Sequence, residues 1–527
     1  MNPHNYRGIS VLNCIAKLYD MVLCDRLICW FKPFREQAGA QKHRGCLEHI
    51  VTLRLLTDTP KRKKIKLFVG FVDFSKAYDM VPRQKLFSVL KRLGCGMVML
   101  AALVSMYRVT ESIVGSAVVT ATLGVRQGSS TSCFLFIIFV NELIKVMKEK
   151  CNPERFLEWL HILVLMDDTV ILSTARQTMI KKVEILQQYC QEYGMVVNNS
   201  KTKFFVINGE DGDAEPIRVE GLVMEHCTSY VYLGSPFTSD GSVSSSVGVH
   251  AKNKLCHVLK YVSFLTKNND VPFIVKRRVF DAALMSSLMY GCESWVCADI
   301  KPVIKLYNWS VKQLLGVRRT TSNQVCYAEA GYPSLPDFIR YKQHKFFHEM
   351  WSERSTMPDD PLSFAITSTT QANTRTGKFI KELLGNEVPS MTSLIEKVHS
   401  AITASNSSRC LVYKEINPHF ILHDIYKTKH VINEFQRISF TRFRICGHSL
   451  AVETGRWNRR GRGRLPVEER LCSCGQVQTE RHVVEACPLT ENIRQMYDIT
   501  RLEDLFNDNI SNHEACAVIH EILEIFK

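Results

Sequence analysis

Carboxylates are among the costliest side chains to leave in an apolar strand, and this chain sets three of them there. Leu67-Phe-Val-Gly-Phe-Val-Asp-Phe74 is apolar at both parities, the pattern of a strand covered on both faces, and it carries Asp73 near its end. Ile162-Leu-Val-Leu-Met-Asp-Asp-Thr-Val-Ile-Leu172 reads as two buried strands folded about Asp167 and Asp168. An ionised group in such surroundings costs several kcal/mol unless a cation compensates it. A single such Asp is ordinarily a strand-end turn residue. Three arising in the same way point to a divalent-cation site, where two Mg²⁺ roughly 3.5–4 Å apart activate one oxygen and stabilise another.

The remaining patterns fit an α+β chain. Residues 1–60 read as helical, with apolar spacing at Leu12, Ile15, Leu18, Tyr19, Val22 and Leu23. Helices are expected over 83–93, over 177–193, and after Ser129–Ser132, whose hydroxyls offer N-caps. A length of 527 residues allows about three domains. Apolar residues at 46% and charged residues at 23% exclude whole-chain disorder. The formal net charge of +15 favours a polyanionic partner. The 19 cysteines, an odd number with Cys14, Cys24, Cys133 and Cys256 single in apolar stretches, suit buried thiols in a reducing, intracellular compartment. The opening residues carry no signal-peptide pattern. The longest apolar runs, 134–140 and 162–166, are short for a membrane span, so no membrane partner is expected.

Phe71-Val-Asp-Phe-Ser-Lys-Ala-Tyr-Asp79, Gly124-Val-Arg-Gln-Gly128 and Met166-Asp-Asp168 resemble motifs A, B and C of reverse transcriptases. Gly194–Lys203 resembles motif D and Tyr232-Leu-Gly234 motif E; Asn5–Ser10 and Gln37-Ala-Gly39 have counterparts in the fingers of non-LTR (LINE-type) retrotransposon enzymes. The resemblance implies a right-hand polymerase fold with fingers and palm over 1–240, a helical thumb or connection over 241–351, and two catalytic Mg²⁺ held by Asp73, Asp167 and Asp168. It further implies that the Phe74 carbonyl adds a ligand, Tyr78 gates the sugar, and Gln127 and Gly128 line the nascent base pair. Lys201 or Lys203 would protonate the leaving pyrophosphate. RNA template, DNA primer or target, and dNTPs are the implied partners, with the nucleus as the implied place of action. Leu165-Met166 replaces an aromatic-Ala pair, Ser129–Cys133 departs from motif B, and 39–45 lacks the expected aromatic and Arg. The motifs begin inside the fingers, so the reading expects chain before residue 1, and no endonuclease segment is visible. A catalytically inactive remnant that binds nucleic acid is the alternative; an RNA-dependent RNA polymerase is disfavoured by Tyr78 and Met166.

Residues 352–408, rich in Ser, Thr and Asn, read as a linker to a C-terminal region over 409–527. There, Cys472, Cys474, His482 and Cys487 follow C-x-C-x7-H-x4-C, four ligands able to close a tetrahedral structural Zn²⁺ site. The resemblance adds that such enzymes carry a CCHC cluster near the C-terminus. Just upstream, Arg456, Trp457, Arg459, Arg460, Arg462 and Arg464 combine phosphate-binding charge with a stacking ring. The run Lys61-Arg-Lys-Lys64 with Lys66 is a second basic stretch, read as a solvated loop, a phosphate contact or a nuclear import patch.

Overall fold

The computed structural model describes residues 9–108, 110–457, 463–506 and 510–527. The chain forms two compact units. One comprises 1–246, 293–298 and 346–386; the other comprises 247–292, 299–345 and 387–527.

The first unit begins with helices α1 (Cys14–Trp30) and α2 (Cys46–Lys63) and strand β1 (Leu67–Val72). Then come α3 (Arg83–Arg92), α4 (Met97–Tyr107), the hairpin β2 (Thr110–Val114) and β3 (Ala117–Ala121), and α5 (Ser130–Lys150). They are followed by β4 (Ile162–Leu165), β5 (Asp168–Ser173), α6 (Arg176–Tyr193), β6 (Lys203–Ile207), β7 (Ile217–Val219) and β8 (Leu222–His226). A small hairpin, β9 (Ser229–Tyr232) with β10 (Ser235–Thr238), completes the series.

Six strands form one sheet in the order β4-β5-β1-β6-β8-β7, antiparallel except for the β6–β8 pair. Both faces of β1 are covered, as its double apolar parity predicts. Phe68 and Val72 face a core built with α3, α4, α5 and α6, while Leu67, Val69 and Phe71 face α2, β9 and β10. Helix α5 is long and apolar enough to cross a membrane by length and composition, but it lies in the core of this unit, mostly buried.

Three expectations need correction. Residues 352–408 are not a linker: Pro361–Gln371, Arg375–Gly385 and Met391–Thr403 are helices. The polar residues that suggested a loop cap them, with Asp360, Thr374 and Ser390 accepting from the N–H groups of Ser363, Gly377 and Ser393. Leu362, Ala365, Ile366, Ile380 and Leu383 join the α2 side of the sheet, so 346–386 belongs with the first unit and 352–386 is packed helix rather than linker. Second, the apolar face read in α1 is largely outward: Ile15, Leu18, Tyr19 and Val22 are exposed, and the buried face is Asp20, Leu23 and Leu27. Third, all nineteen cysteines are free thiols, but Cys14, Cys133 and Cys256 are exposed because they fall on outward helix faces.

The second unit is helical and encloses a buried charge pair. Glu329 accepts from Arg444 Nε at 2.7 Å, Tyr426 Oη at 2.7 Å and Tyr413 Oη at 2.9 Å. Burial pushes this carboxyl upward, but Arg444 and the hydrogen bonds outweigh it and hold Glu329 below its ordinary value. The stabilisation is therefore present above the unfolded carboxyl's pKa and is lost as pH falls through the depressed native one. Glu329→Gln leaves Arg444 buried without a counter-charge; urea titration is expected to show a loss of about 3–5 kcal/mol in this unit, shrinking in acid.

Candidate active site and metal cluster

The carboxylates meet through strand register. β1 and β5 pair antiparallel with Val72 across from Thr169, so one further step sets Asp73 across from Asp168 on the same side of the sheet. Directly opposed residues have Cβ atoms about 4.5–5.5 Å apart. β4 and β5 form a two-residue hairpin closed by Leu165 and Asp168, so the turn is Met166-Asp167 and Asp168 begins β5. None of the three is buried: Asp73 and Asp167 are half-exposed and Asp168 is exposed, because they lie where the strands leave the core. The desolvation expected of them is correspondingly smaller. Beneath them Tyr230 stacks on Phe71 at 4.1 Å, and its hydroxyl is pushed up to about 12 by burial and by Asp73 and Asp168.

The hairpin is held from outside the sheet. Met166 adopts φ of 60°, a left-handed conformation that a residue with a side chain rarely takes. The Gln37 side-chain oxygen accepts from Met166 N–H at 3.1 Å and from Gly39 N–H at 2.8 Å. Ala38 N–H donates to Val164 O at 3.0 Å, and Val164 N–H to Glu36 O at 2.8 Å, so 36–38 runs along the edge of β4. A Cβ at Gly39 would lie 2.3 Å from Met166 Sδ, so a side chain there would displace Met166 and Gln37. On the other side, Asp73 N–H donates to Thr202 Oγ1 at 3.2 Å, and Lys201 Nζ lies 3.5 Å from Asp73 Oδ2. Lys203, the other lysine considered, begins β6 opposite Phe71. Three carboxylates on adjacent strand ends are oxygen donors of the kind a hard cation such as Mg²⁺ takes.

Tyr78, Gln127 and Gly128 gather beside this edge. Phe74 is buried next to Asp73, and Tyr78 stacks on Phe136 at 4.5 Å and 15°. Val125 N–H donates to Tyr78 O at 2.9 Å, and Gln127 Nε2 lies 3.4 Å from Asp79 Oδ1. Gly128 has φ of 110°, and a Cβ there would lie 2.4 Å from Ser10 O. Two positioning residues were missed from sequence. Arg83, buried, donates to the carbonyls of Gly124 (2.8 Å), Tyr107 (2.6 Å), Ala121 (2.8 Å) and Leu123 (3.0 Å). Asp20, buried, accepts from Ser129 Oγ (2.8 Å), Thr131 Oγ1 (2.6 Å) and Ser130 N–H, and so caps α5 in place of the expected hydroxyls.

Residues 2–237 match the family model described as reverse transcriptase (RNA-dependent DNA polymerase). The chain is 23% identical over 541 residues to the Pol polyprotein of a type-1 retrotransposable element R2 of Popillia japonica, covering 95% of this chain and 70% of that protein. Residues 2–237 thus match a reverse-transcriptase domain, and the chain is similar to proteins of non-LTR retrotransposons. Drosophila melanogaster relatives are a putative 115 kDa protein of element R1DM (24%, covering 56% of this chain and 28% of that protein) and a probable RNA-directed DNA polymerase from transposon BS (23%, 56% and 34%). The chain thus spans about a third of each Drosophila relative. A solved structure of Candida albicans telomerase with a telomeric RNA fragment aligns at TM-score 0.35 and 13% identity, over 77% of this chain and 56% of that one.

In the second unit, Cys472, Cys474, His482 and Cys487 converge, with all ligand atoms within 4.8 Å of one another. Cys472 and Cys487 Sγ are 3.7 Å apart, Cys474 and Cys487 Sγ 4.0 Å, and Cys474 Sγ lies 3.2 Å from His482 Nε2. Zn–S bonds of ~2.3 Å imply S···S edges of about 3.8 Å in a tetrahedron, whereas a disulfide needs ~2.05 Å. Gly475, at φ of 90°, makes the tight turn, and Thr479 caps the helix Glu480–Glu485 by accepting from His482 N–H at 3.0 Å. The Gln476 N–H lowers the Cys474 thiol, favouring the thiolate that binds metal. A second group, Cys446, Glu453 and Glu480, is already compensated: Glu453 pairs with Arg409 (2.8 Å) and Arg456 (2.9 Å), and Glu480 with His448 (2.9 Å).

Of the upstream basic run, Arg459, Arg460 and Arg462 lie outside the described residues. Trp457 has one ring face covered by the Arg318 guanidinium at 4.6 Å. In the other run, Arg62 pairs with Asp58 at 2.7 Å, and Lys66 pairs with Glu210 at 2.8 Å and Asp213 at 3.0 Å.

Two outcomes are expected. Gln37→Leu leaves two N–H groups without an acceptor, costing about 2–4 kcal/mol in all, and hydrogen exchange should accelerate at the Met166 amide before that of β6. Unchanged protection at Met166 would contradict the clamp. Elemental analysis of the purified chain should find about one Zn²⁺ per molecule, lost in Cys474→Ser together with protection over 480–485.

Proposed function

We propose that the chain is an RNA-directed DNA polymerase that extends a DNA 3′-OH along an RNA template, with dNTPs as substrates and Asp73, Asp167 and Asp168 as ligands of two Mg²⁺. The observation that carries this is the β1–β5 register, which sets two strand-end carboxylates opposite each other beside the turn that bears the third. When bound, the cations lower the pKa of the attacking hydroxyl and neutralise charge on the triphosphate.

The chain's own residues do the rest. The 3′-oxygen attacks the α-phosphorus, a new O–P bond forms, the bond to the β-phosphate breaks, and pyrophosphate leaves. Lys201, mostly exposed and 3.5 Å from Asp73, is near enough to give a proton to that pyrophosphate. Tyr78, held flat by Phe136, puts a rigid ring where a 2′-OH would fall. Gln127 and Gly128 supply an amide and an open backbone for the incoming base pair, and the Phe74 carbonyl is an additional oxygen ligand. Template contacts fall to the basic surface around Arg456, Trp457 and Arg464, and Zn²⁺ on the CCHC group holds that region's fold.

With poly(rA), oligo(dT), Mg²⁺ and dTTP, the chain should incorporate dTTP, and Asp167→Ala with Asp168→Ala should abolish it. Incorporation no greater than that of the double variant, with oligonucleotide binding intact, would instead establish the inactive nucleic-acid-binding remnant. Preference for rUTP over dTTP would overturn the reverse-transcriptase substrate choice.

A further inference from the structure

In the second unit a cavity of about 580 Å³ has four arginines along its wall, and three of them, Arg456, Arg464 and Arg470, come from neighbouring turns of the chain. Chain pairing brings these segments together. Leu465 N–H donates to Gly455 O at 2.9 Å, Gln478 N–H to Arg470 O at 2.9 Å, and Val452 N–H to Gln478 O at 3.3 Å. Arg470 is fixed by its own donors: Nη1 reaches Val452 O at 2.9 Å, and Nε and Nη2 reach Leu465 O at 3.1 and 2.7 Å. A Cβ at Gly455 would lie 2.6–2.8 Å from the Arg470 side chain, so glycine there is what lets this arginine lie flat against the turn.

The wall also carries Arg481, paired with Glu485 and Glu503, and two carboxylates, Glu415 and the His448-paired Glu480, so arginines outnumber carboxylates there four to two. Arg456 shares Glu453 with Arg409, Arg470 spends its fixed donors on carbonyl oxygens, and Arg464 is exposed with no ion-pair partner among the described residues. Val452, Val467 and Leu502 give the same cavity an apolar side. A volume in the few-hundred-Å³ range suits a nucleotide-sized group.

We infer that this cavity seats one nucleotide of a single-stranded nucleic acid, with its phosphodiester on Arg456, Arg464 and Arg470 and its base or sugar on the apolar side. The inference deepens the nucleic-acid reading of the proposed function and rests on it. Phosphate chemistry is common to RNA and DNA, so both are probes.

The test is fluorescence anisotropy of the full chain with labelled rU12 and dT12 across a salt series. Arg464→Ala alters an exposed side chain and is expected to weaken binding about five- to tenfold and to reduce the salt slope by about one. Gly455→Ala, which displaces Arg470, should weaken binding without changing the net charge, and Arg464→Lys should restore most of the slope. Equal losses for both oligomers support a seat for the shared phosphodiester; a larger loss for rU12 supports a seat that also touches the ribose. Wild-type affinity and slope in both Arg464→Ala and Gly455→Ala would overturn the seat. Equally weakened binding of a labelled oligoglutamate would also overturn it, in favour of an acidic protein. Absence of oligomer binding by the unaltered chain would instead sink the underlying nucleic-acid reading, which keeps the two failures apart.

Discussion

The pairing of β1 with β5 inside a sheet covered on both faces is the constraint on which the site depends. A slip of one residue would exchange Leu67, Val69 and Phe71 with Phe68, Gly70 and Val72 between two cores of different shape. At Gly70 a Cβ would lie 2.9 Å from Met224 Cε, so Met224 would have to repack as well. Packing across the whole strand therefore fixes where its end lies, and the end carries Asp73. The carboxylates need no contacts among themselves to be brought together. They stand at the rim of a sheet whose interior has already determined the register, and solvent at that rim keeps three like charges tolerable without a cation.

The segment after Gln127-Gly128 departs most from the family pattern, and its neighbours explain why it still folds. Ser129, Thr131 and Ser132 surround the Tyr107 hydroxyl at 2.8–3.3 Å, and the first two also donate to Asp20. A buried carboxylate at the N-terminus of α5 is stabilised by its free N–H groups and by the helix dipole. Hydroxyls suit this position because each can donate to Asp20 while accepting from another group. Arg83 performs the complementary task at the other end of the turn, taking up the carbonyls of Tyr107 at the end of α4, Ala121 at the end of β3, and Leu123 and Gly124 in the turn that follows. The turn bearing Gln127 and Gly128 is thus bounded by an anion on one side and a cation on the other.

Local pattern made β1, β5 and α6 legible, since helical periodicity and the double apolar parity act within a few residues. The CCHC group was legible for the same reason: its four ligands lie within sixteen residues. Asp20 and Arg83 were not, because their partners lie 109–111 and 24–41 residues away and nothing in their immediate sequence marks them. The linker expected over 352–408 failed for a different reason. Ser, Thr and Asp serve turns and helix N-caps alike, and only the amphipathic spacing of Leu362, Ile366, Ile380 and Leu383 separates the two. The outward face of α1 is the converse case, in which helical spacing was correct but did not determine which side meets the core.

The two basic runs end with different standing, although composition weighed them equally. Lys61, Arg62 and Lys63 occupy the last turn of α2, where cations complement the helix dipole, and Arg62 is bound to Asp58. Lys66 answers two carboxylates. Much of that charge is already committed to the fold, so a phosphate approaching it competes with intramolecular partners. At 456–470 the backbone instead gathers guanidinium groups faster than it supplies carboxylates, and glycine at 455 makes room for one of them. A net charge is informative about partners only where the chain leaves it unanswered, and the surplus around Arg464 meets that condition better than the longer run of lysines.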